Sequence, residues 1–232
     1  MIISLFYIKS PMGRLNRIIP VYKPIGPSTF DLIRIFKKIT KFEGKIGHGG
    51  TLDPFACGVV LLLLNKATER FEEIKNWEKE YTAGIRLGAE SSTGDITGEI
   101  KILRDDNLPP PGMKSIGEAL KLFVGEIEQR IPPYSAAKFQ GTPLYKLARK
   151  GIEIEKSKKV KIFNIELLYY RYPVLAIRVF CSGGVYIRQL AQDIARDLKT
   201  DGFLYFLQRE RVGEYTIKDC LHIQDFDKIT IQ

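Results

Sequence analysis

The residue best placed to do chemistry is Asp53, which lies among four glycines in residues 47–58 (GHGGTLDPFACG). Glycine adopts backbone angles that other residues avoid and lets a ligand approach the chain closely. Pro54 fixes its own φ and biases Asp53 toward an extended conformation. The apolar run 59–64 follows at once and predicts a buried strand. The pattern therefore predicts one carboxylate held on a tight loop beside the core, a common way to build a site.

Three other interpretations of this glycine-rich stretch were weighed against a catalytic one. A plain turn with an Asp side-chain cap is the more frequent role of an Asp beside glycines. A phosphate-binding P-loop does not fit, because Gly44 and Lys45 are followed by Ile46 rather than by Ser or Thr. A dinucleotide fingerprint fails because Leu52 stands where its third glycine belongs.

Composition limits the class of protein and of partner. The 232 residues are enough for one large domain or two small ones, and the proportion of hydrophobic residues, 44%, is ordinary for a globular protein. Lysine and arginine total 36 against 27 acidic residues, which gives a net charge of +9. Such a charge favours a polyanionic partner, either nucleic acid or an anionic membrane, although it also serves simple solubility.

Cysteine and histidine usage argues against a metal or disulfide framework. The three cysteines are widely separated, and the two histidines are His48 and His222. We therefore expect no metal, no disulfide and a reducing cytoplasmic location. The apolar start at residues 2–8 is too short to span a bilayer and lacks the features of a signal peptide, so no membrane association is expected.

Residue periodicity predicts alternating strands and helices in one mixed α/β (α+β) domain with a largely antiparallel sheet flanked by helices. Ser28 and Asp31 form the pattern of a capping box at the first helix. Polar or proline-rich connections are expected at 88–98, 105–113 and 131–138. The predicted strands are 18–22, 59–64, 79–87, 160–170, 174–181 and 203–212. The predicted helices are 30–39, 67–75, 115–124, 143–150 and 182–198.

Residues 47–69 (GHGGTLDPFACGVVLLLLNKATE) resemble the catalytic motif of the TruB family of pseudouridine synthases. Four further stretches match in the family's order: KEY at 79–81, SAAK at 135–138, LYKLARKGIE at 144–153 and CSGGVYIR at 181–188. The resemblance runs from about Ile18 to the end of the chain. It departs from the family pattern at Gly49, where the family usually has Thr, and at Cys57, where Thr is frequent.

The resemblance implies three catalytic residues. Asp53 is the reactive carboxylate, Arg188 is the arginine that pairs with it, and Tyr81 stacks on the target base and helps to move its C5 proton. Arginine is a suitable partner for the carboxylate of Asp53 because it stays charged and can bind a carboxylate through two hydrogen bonds. Without the motif, Arg188 would be interpreted as a surface side chain and Tyr81 as a core residue of an alternating strand.

A second set is assigned to substrate binding by the same resemblance. His48 occupies the gap left by the flipped base, and Lys23 buttresses the loop of Asp53. Each has an ordinary structural alternative, since a histidine in a glycine loop and a lysine in a turn are common. The other members of this set are Tyr186, Lys138, Lys146, Arg149 and Lys150. The last four lie on segment 131–151, which resembles a loop that closes over the RNA arm.

Taken together, the resemblance implies the pseudouridine synthase fold in one catalytic domain at 18–232. An extension of unassigned role precedes it at 1–17, and no C-terminal PUA domain is expected. The implied reaction isomerises uridine 55 in the T loop of tRNA by base flipping, Asp-dependent cleavage of the glycosidic bond and C–C reattachment, without cofactor or metal. The expected partner is the T arm of tRNA, bound by a monomer. A related synthase with another RNA target and a non-catalytic tRNA-binding or folding protein remain alternatives.

Overall fold

A computed structural model describes residues 17–103, 109–152 and 154–229. The predicted extension 1–17 lies outside them except for Arg17. The helices of this part of the chain are α1 Thr29–Thr40, α2 Phe71–Lys75, α3 Met113–Leu122, α4 Leu144–Ala148 and α5 Ile187–Asp197. The strands are β1 Arg17–Lys23, β2 Ile46–His48, β3 Cys57–Leu64, β4 Lys79–Leu87, β5 Ala89–Ser91, β6 Ile100–Ile102, β7 Gly125–Arg130, β8 Lys138–Phe139, β9 Thr142–Pro143, β10 Ser157–Arg171, β11 Val174–Cys181, β12 Gly202–Val212 and β13 Tyr215–Thr216.

Nine of the described strands form one sheet in the order β1-β3-β12-β4-β11-β10-β7, with β2 attached to β3 and β13 to β12. Within the described ranges, β3 and β12 pair in parallel and every other pair in this sheet is antiparallel. The prediction of a mixed, largely antiparallel sheet flanked by helices is confirmed.

Strand β3 is the buried centre around which the first half of the chain packs. All eight of its residues are buried, as its uninterrupted apolar sequence predicts. Because side chains alternate between faces, Val60, Leu62 and Leu64 join the main core with α1 and α5. The other set, Val59, Leu61 and Leu63, packs on the opposite face against Ala67, Ile74 and Val212.

The two edges of β3 are used differently. Strand β1 pairs along one edge from residue 58 to residue 64. The other edge is shared, because β2 pairs with residues 62–64 and β12 pairs with residues 57–58. The loop that carries Asp53 leaves the sheet between these two partners.

Helix α1 begins where its sequence predicts. The Ser28 hydroxyl accepts a hydrogen bond from the Asp31 amide, and the Asp31 carboxylate accepts one from the Ser28 amide, which completes the capping box. Leu32, Ile33 and Phe36 then bury one face of the helix in the core. The N-terminus of α1 is therefore fixed locally, and its packing direction follows from its apolar stripe.

Several predicted boundaries are wrong by a few residues. The helix predicted at 67–75 is instead a 3₁₀ helix at Asn65–Arg70 followed by the short α-helix α2. The last long helix begins at 187 rather than at 182. The helix predicted at 115–124 begins and ends two residues earlier. Met113 therefore belongs to α3 and not to the linker predicted at 105–113. Residues 105–108 of that linker lie outside the described residues. These errors sit at helix ends, where short-range signals are weakest.

The sequence also missed strands that lack an apolar pattern. Strand β7 (GEIEQR) pairs with β10 at the sheet edge and exposes most of its charged residues. Strand β2 has three residues, too few to show any period. Within residues 17–103, 109–152 and 154–229, no helix is long and apolar enough to cross a membrane.

Gly58, where the loop enters β3, is predicted to be irreplaceable. Its φ is +112°, and a Cβ there would lie 2.2 Å from the backbone oxygen of Arg209. We expect Gly58→Ala to lower the free energy of unfolding by at least about 2 kcal/mol, since strain and overlap add. Gly117, inside α3 with nothing within 4 Å of an added Cβ, is the matched control.

Gly117→Ala should instead stabilise the protein by about 0.5–1 kcal/mol through helix propensity. Urea unfolding of both variants at equal concentration measures the two effects. Equal stability of Gly58→Ala and the wild type would contradict the close approach of β3 and β12.

Candidate active site

The loop that carries Asp53 is held by hydrogen bonds from the neighbouring segment 26–29 and by a turn of its own. Thr29 Oγ1 donates to the Leu52 carbonyl at 3.1 Å and accepts from the Leu52 amide at 3.0 Å. The Gly26 amide donates to the Pro54 carbonyl at 2.8 Å, and the Ala56 amide closes a turn on the Asp53 carbonyl at 3.1 Å. Asp53 is thus presented on a backbone whose polar groups are already paired, which favours one conformation.

Arg209 of β12 anchors this loop, and no sequence pattern predicted that role. The side chain is 2% exposed, and its Nε donates to the Val59 carbonyl of β3 at 2.6 Å. Its two terminal nitrogens donate to the Thr51 carbonyl at 3.1 Å and the Gly50 carbonyl at 3.2 Å. The next carbonyl along that edge of β3, that of Leu61, accepts a hydrogen bond from the Gly49 amide at 2.8 Å. The guanidinium therefore takes the place of backbone pairing where the β3 edge passes from β12 to β2.

The departures from the family pattern at Gly49 and Cys57 are accommodated by their neighbours. A Cβ at Gly49 would lie 2.6 Å from Ile74 Cγ2 and 3.3 Å from Leu61 Cβ, so Ile74 occupies the space that a larger residue would need. Cys57 is buried, and its thiol donates to the Gln208 side-chain oxygen at 3.3 Å. Both positions therefore face the interior.

Arg188, the second residue of α5, makes the central ion pairs of the site. Its Nε lies 2.9 Å from Asp53 Oδ2, and its Nη1 lies 3.4 Å from Asp95 Oδ2. The same guanidinium donates to the Thr93 carbonyl at 3.0 Å and to the Tyr134 carbonyl at 2.8 Å. The Arg188 side chain is 8% exposed, whereas that of Asp53 is 33% exposed. The cation is thus fixed inside the protein, while the carboxylate of Asp53 remains open to a substrate.

Asp95 is the second site residue that sequence reasoning missed, since residues 88–98 were interpreted as a polar loop. The residue is buried, and its Oδ1 accepts from Thr93 Oγ1 at 2.9 Å and from the Thr97 amide at 2.9 Å. Oδ2 is left to Arg188. The flanking threonines were the available signal, because hydroxyls on both sides of an Asp can hold a buried carboxylate.

Tyr81 lies in β4 with 6% of its surface exposed. Burial raises the pKa of its phenol to about 12, while the nearby Arg209 cation acts in the opposite direction. The side chain is therefore a neutral phenol near pH 7. The charge of Asp53 also acts on the pKa of Tyr81, which places the two side chains in one electrostatic environment.

His48, the last residue of β2, is a neutral ring at the same loop. Burial and the Arg209 cation lower its pKa. Its Nδ1 accepts a hydrogen bond from the Gly50 amide at 3.3 Å, so the neutral ring carries its proton on Nε2. The ring packs edge to face with that of Phe30, with 5.8 Å between centroids.

Lys23 is fully buried beneath the loop of Asp53. Its ammonium donates to the carbonyls of Pro24 at 2.8 Å, Pro27 at 2.9 Å and Pro54 at 3.3 Å. Burial lowers its pKa to about 8, and the negative charge of Asp53 opposes that shift. The side chain thus ties the β1–α1 connection to the loop of Asp53.

The remaining predicted residues make no contact described above with Asp53 or its loop. Tyr186 is the N-cap of α5; its amide and carbonyl bond reciprocally to the Gln129 side chain, and Lys158 Nζ lies 4.2 Å above its ring. Burial raises the pKa of the Tyr186 phenol. Four exposed cations lie farther out, on the β8–β9 hairpin and around α4: Lys138, Lys146, Arg149 and Lys150.

The arrangement offers one accessible carboxylate, fixed cations around it and a neutral aromatic, which suits nucleophilic or electrostatic catalysis on a planar ligand. Among residues 17–103, 109–152 and 154–229, no three His, Cys, Asp or Glu side chains are grouped in a way that would hold a metal ion.

Comparison with known proteins gives consistent matches. The family "TruB family pseudouridylate synthase (N terminal domain)" matches residues 37–187. The "tRNA pseudouridine synthase B" of Clostridium tetani is 39% identical over 219 residues, which is 94% of this chain and 75% of the relative. That of Parabacteroides distasonis is 40% identical over 213 residues, which is 88% of this chain and 89% of the relative.

Solved structures show the same fold. A chain of an H/ACA RNP bound to a substrate RNA containing 2′-deoxyuridine superposes with a TM-score of 0.65 and 27% identity. A chain of a Cbf5–Nop10–Gar1 complex gives a TM-score of 0.67 and 28% identity. Each match covers 90% of this chain but only 51% and 52% of the solved chains, so this chain spans about half their length.

The buried Lys23 predicts a pH dependence of stability. Its pKa is about 8 in the folded protein against the ordinary 10.5, so between these values the unfolded chain binds more protons. Folding stability then rises with pH through this window, by up to about 1.4 kcal/mol per pH unit for one lysine. We expect the unfolding free energy of the wild type to increase relative to that of Lys23→Met from pH 8 to pH 10.

Lys45, exposed on the connection before β2, is the matched control. The difference between wild type and Lys45→Met should be independent of pH over the same range. A flat difference for Lys23→Met as well would show that Lys23 is not desolvated. Urea unfolding at four or more pH values makes the comparison.

Proposed function

Because the chain belongs to the TruB family of pseudouridylate synthases, we propose that it converts uridine 55 in the T loop of tRNA to pseudouridine. The observation that carries the proposal is the Arg188–Asp53 pair at 2.9 Å, with its cation buried and its carboxylate accessible. It occurs in a chain whose relatives of about 40% identity are named tRNA pseudouridine synthase B.

The proposed reaction breaks the bond between N1 of uracil and C1′ of the ribose, turns the base and forms a bond from C5 to the same C1′. The proton on C5 is lost and N1 gains one, so no electrons are transferred and no redox cofactor is needed. The step requires an ionised carboxylate as nucleophile or charge stabiliser, which we assign to Asp53. This requirement is the same whether the carboxylate attacks the base or the sugar.

Arg188 positions that carboxylate. Its guanidinium is held by Asp95 and by two backbone carbonyls, so it needs no rearrangement when substrate enters. Asp95 balances part of the charge of Arg188, which supports an assignment of Asp95 as a positioning residue. Asp95, Arg188 and Asp53 thus act as one unit, in which the reactive Asp53 is the most exposed side chain.

Tyr81 is assigned to the face of the flipped uracil. A neutral aromatic ring suits stacking on a base, and each such stack contributes about 1–3 kcal/mol. A phenol whose pKa is about 12 holds its proton near neutrality, which supports stacking as its main contribution. The uridine must leave the helical stack to reach this position, because the carboxylate of Asp53 is partly enclosed by the protein.

The remaining residues are assigned to RNA binding. His48 is assigned to the gap left by the flipped base, for which a neutral, flat side chain is suited, and Lys23 is assigned to the support of the loop. Tyr186, two residues before Arg188, is assigned to contact with the RNA at the N-terminus of α5. The exposed cations Lys138, Lys146, Arg149 and Lys150 are assigned to phosphates of the T arm. We further propose that the protein acts as a monomer in the cytoplasm.

Asp53→Asn tests the catalytic assignment. The amide keeps the shape but not the anion, so we expect pseudouridine formation below about a hundredth of the wild-type rate with RNA affinity retained. The assay incubates enzyme with unmodified tRNA and, separately, with ribosomal RNA, and maps pseudouridine by position.

Modification confined to ribosomal RNA would identify a synthase with a different target. Tight tRNA binding without modification by the wild type would identify a binding protein. Activity of a clean Asp53→Asn preparation near the wild-type level would remove Asp53 from the mechanism.

The exposed cations around α4 predict the salt dependence of binding. Neutralising Lys146, Arg149 and Lys150 to Gln should weaken tRNA binding and reduce the slope of log affinity against log salt by about 2. The modified position should not change, because phosphate contacts carry no sequence information. Lys114, Lys121 and Lys218 are exposed elsewhere, and their neutralisation is the charge-matched control. An equal change of slope in both triple variants would contradict a specific role for the α4 region.

A further inference from the structure

Two large apolar side chains stand exposed beside the loop of Asp53, and no assignment above uses them. Phe30, in the first turn of α1, is 63% exposed, and Ile25, in the β1–α1 connection, is 61% exposed. Single exposed apolar residues are ordinary on protein surfaces. These two differ because their chain neighbours, Gly26 and Thr29, are hydrogen-bonded to the candidate catalytic loop.

The segment from Ile25 to Phe30 is rigidly attached. The Gly26 amide bonds to the Pro54 carbonyl, and Lys23 bridges the Pro27 and Pro54 carbonyls from beneath. Thr29, the neighbour of Phe30, exchanges two hydrogen bonds with Leu52. The positions of Ile25 and Phe30 are therefore set by the same contacts that set Asp53.

Phe30 also touches a residue assigned to the substrate. Its ring meets that of His48 edge to face, with 5.8 Å between centroids and an interplanar angle of 81°. Most of the Phe30 ring nevertheless remains open to solvent, as its exposure shows. An aromatic surface thus continues outward from His48.

A row of cations continues along the same helix. Arg34, Lys37 and Lys38 follow Phe30 at spacings of 4, 7 and 8 residues, which places them along one side of α1. This side lies opposite the buried Leu32 and Phe36. Lys41 follows as the C-cap of the helix. Arg34 pairs with Asp31 at 3.0 Å, but its side chain is 75% exposed, so water screens that pair. Aromatic surface next to a cationic row is the combination that binds single-stranded nucleic acid.

We propose that Ile25 and Phe30 form a stacking position for an unpaired base of the RNA substrate adjacent to the flipped uridine, with the exposed Arg34 and Lys38 of α1 binding the phosphates that follow. The proposal rests on the proposed function, since it takes RNA as the substrate. An apolar partner protein fits less well, because the row of cations beside the ring favours a polyanion. Every base offers a flat face, so this position adds affinity with little sequence preference.

Single-turnover kinetics with tRNA at increasing enzyme concentration tests the proposal. Phe30→Ala should raise the enzyme concentration for half-maximal rate about 5- to 150-fold, and the maximal rate should change less than about twofold. Phe30→Tyr keeps the ring and should stay within about threefold of wild type. Tyr169→Ala is the matched control, because Tyr169 is 51% exposed on β10, separated from β3 by β12, β4 and β11.

A second substrate series identifies the base. Transcripts that carry one abasic nucleotide at each position next to the target should bind the wild type more weakly at one position. At that position Phe30→Ala should cause no further loss, because the stacking partner is already absent.

Unchanged affinity of Phe30→Ala while the wild type modifies tRNA would overturn the stacking proposal and leave the proposed function intact. A fall in maximal rate without a change in affinity would also overturn it, since the ring would then act only through His48. An inert wild type would instead refute the proposed function.

Discussion

The structure depends on how the second edge of β3 is shared. Because β2 takes one end of that edge and β12 the other, the backbone between them lacks a continuous strand partner. The buried Val59 carbonyl in this gap must find a donor, and Arg209 supplies it while also donating to the loop carbonyls of Thr51 and Gly50. The loop that bears Asp53 can leave the sheet at this point without losing a fixed conformation. The candidate active site is therefore located by an interruption of strand pairing rather than by a cavity in the core.

The cations around the loop fall into two classes. Arg188 faces two carboxylates, Asp53 and Asp95, whereas Arg209 and Lys23 are satisfied by backbone carbonyls. Carbonyls pair the donors of a cation but do not cancel its charge. The environment of Asp53 therefore keeps a positive excess, which compensates its carboxylate and favours an approaching polyanion. The cost of this arrangement appears at Lys23, where burial lowers the pKa to about 8.

Two basic surfaces reach this site by separate routes. Segment 131–151 is joined to it through the Tyr134 carbonyl, which accepts a hydrogen bond from Arg188. Helix α1 is joined through Thr29, which is bonded to Leu52, and through the ring contact of Phe30 with His48. Both basic surfaces are therefore connected by direct contacts to the site that contains Asp53. This placement is what an enzyme needs if sequence-independent phosphate contacts are to present one nucleotide to one carboxylate.

The sequence by itself determined the features that arise from neighbouring residues and from the motifs. It identified the loop of Asp53, the buried strand after it, the capping box of α1 and a late helix that carries Arg188. Its motif resemblance also led to the fold and the family, both of which the comparisons support. Only the tertiary structure showed Asp95 and Arg209 in the site, the insertion of β12 between β3 and β4 and the edge strand β7. Helix caps and apolar periods depend on residues within one or two turns, so they can be read along the chain. The ion pair of Arg188 with Asp95 and the bonds of Arg209 to the loop join residues far apart in sequence, and such contacts exist only after packing has brought those segments together.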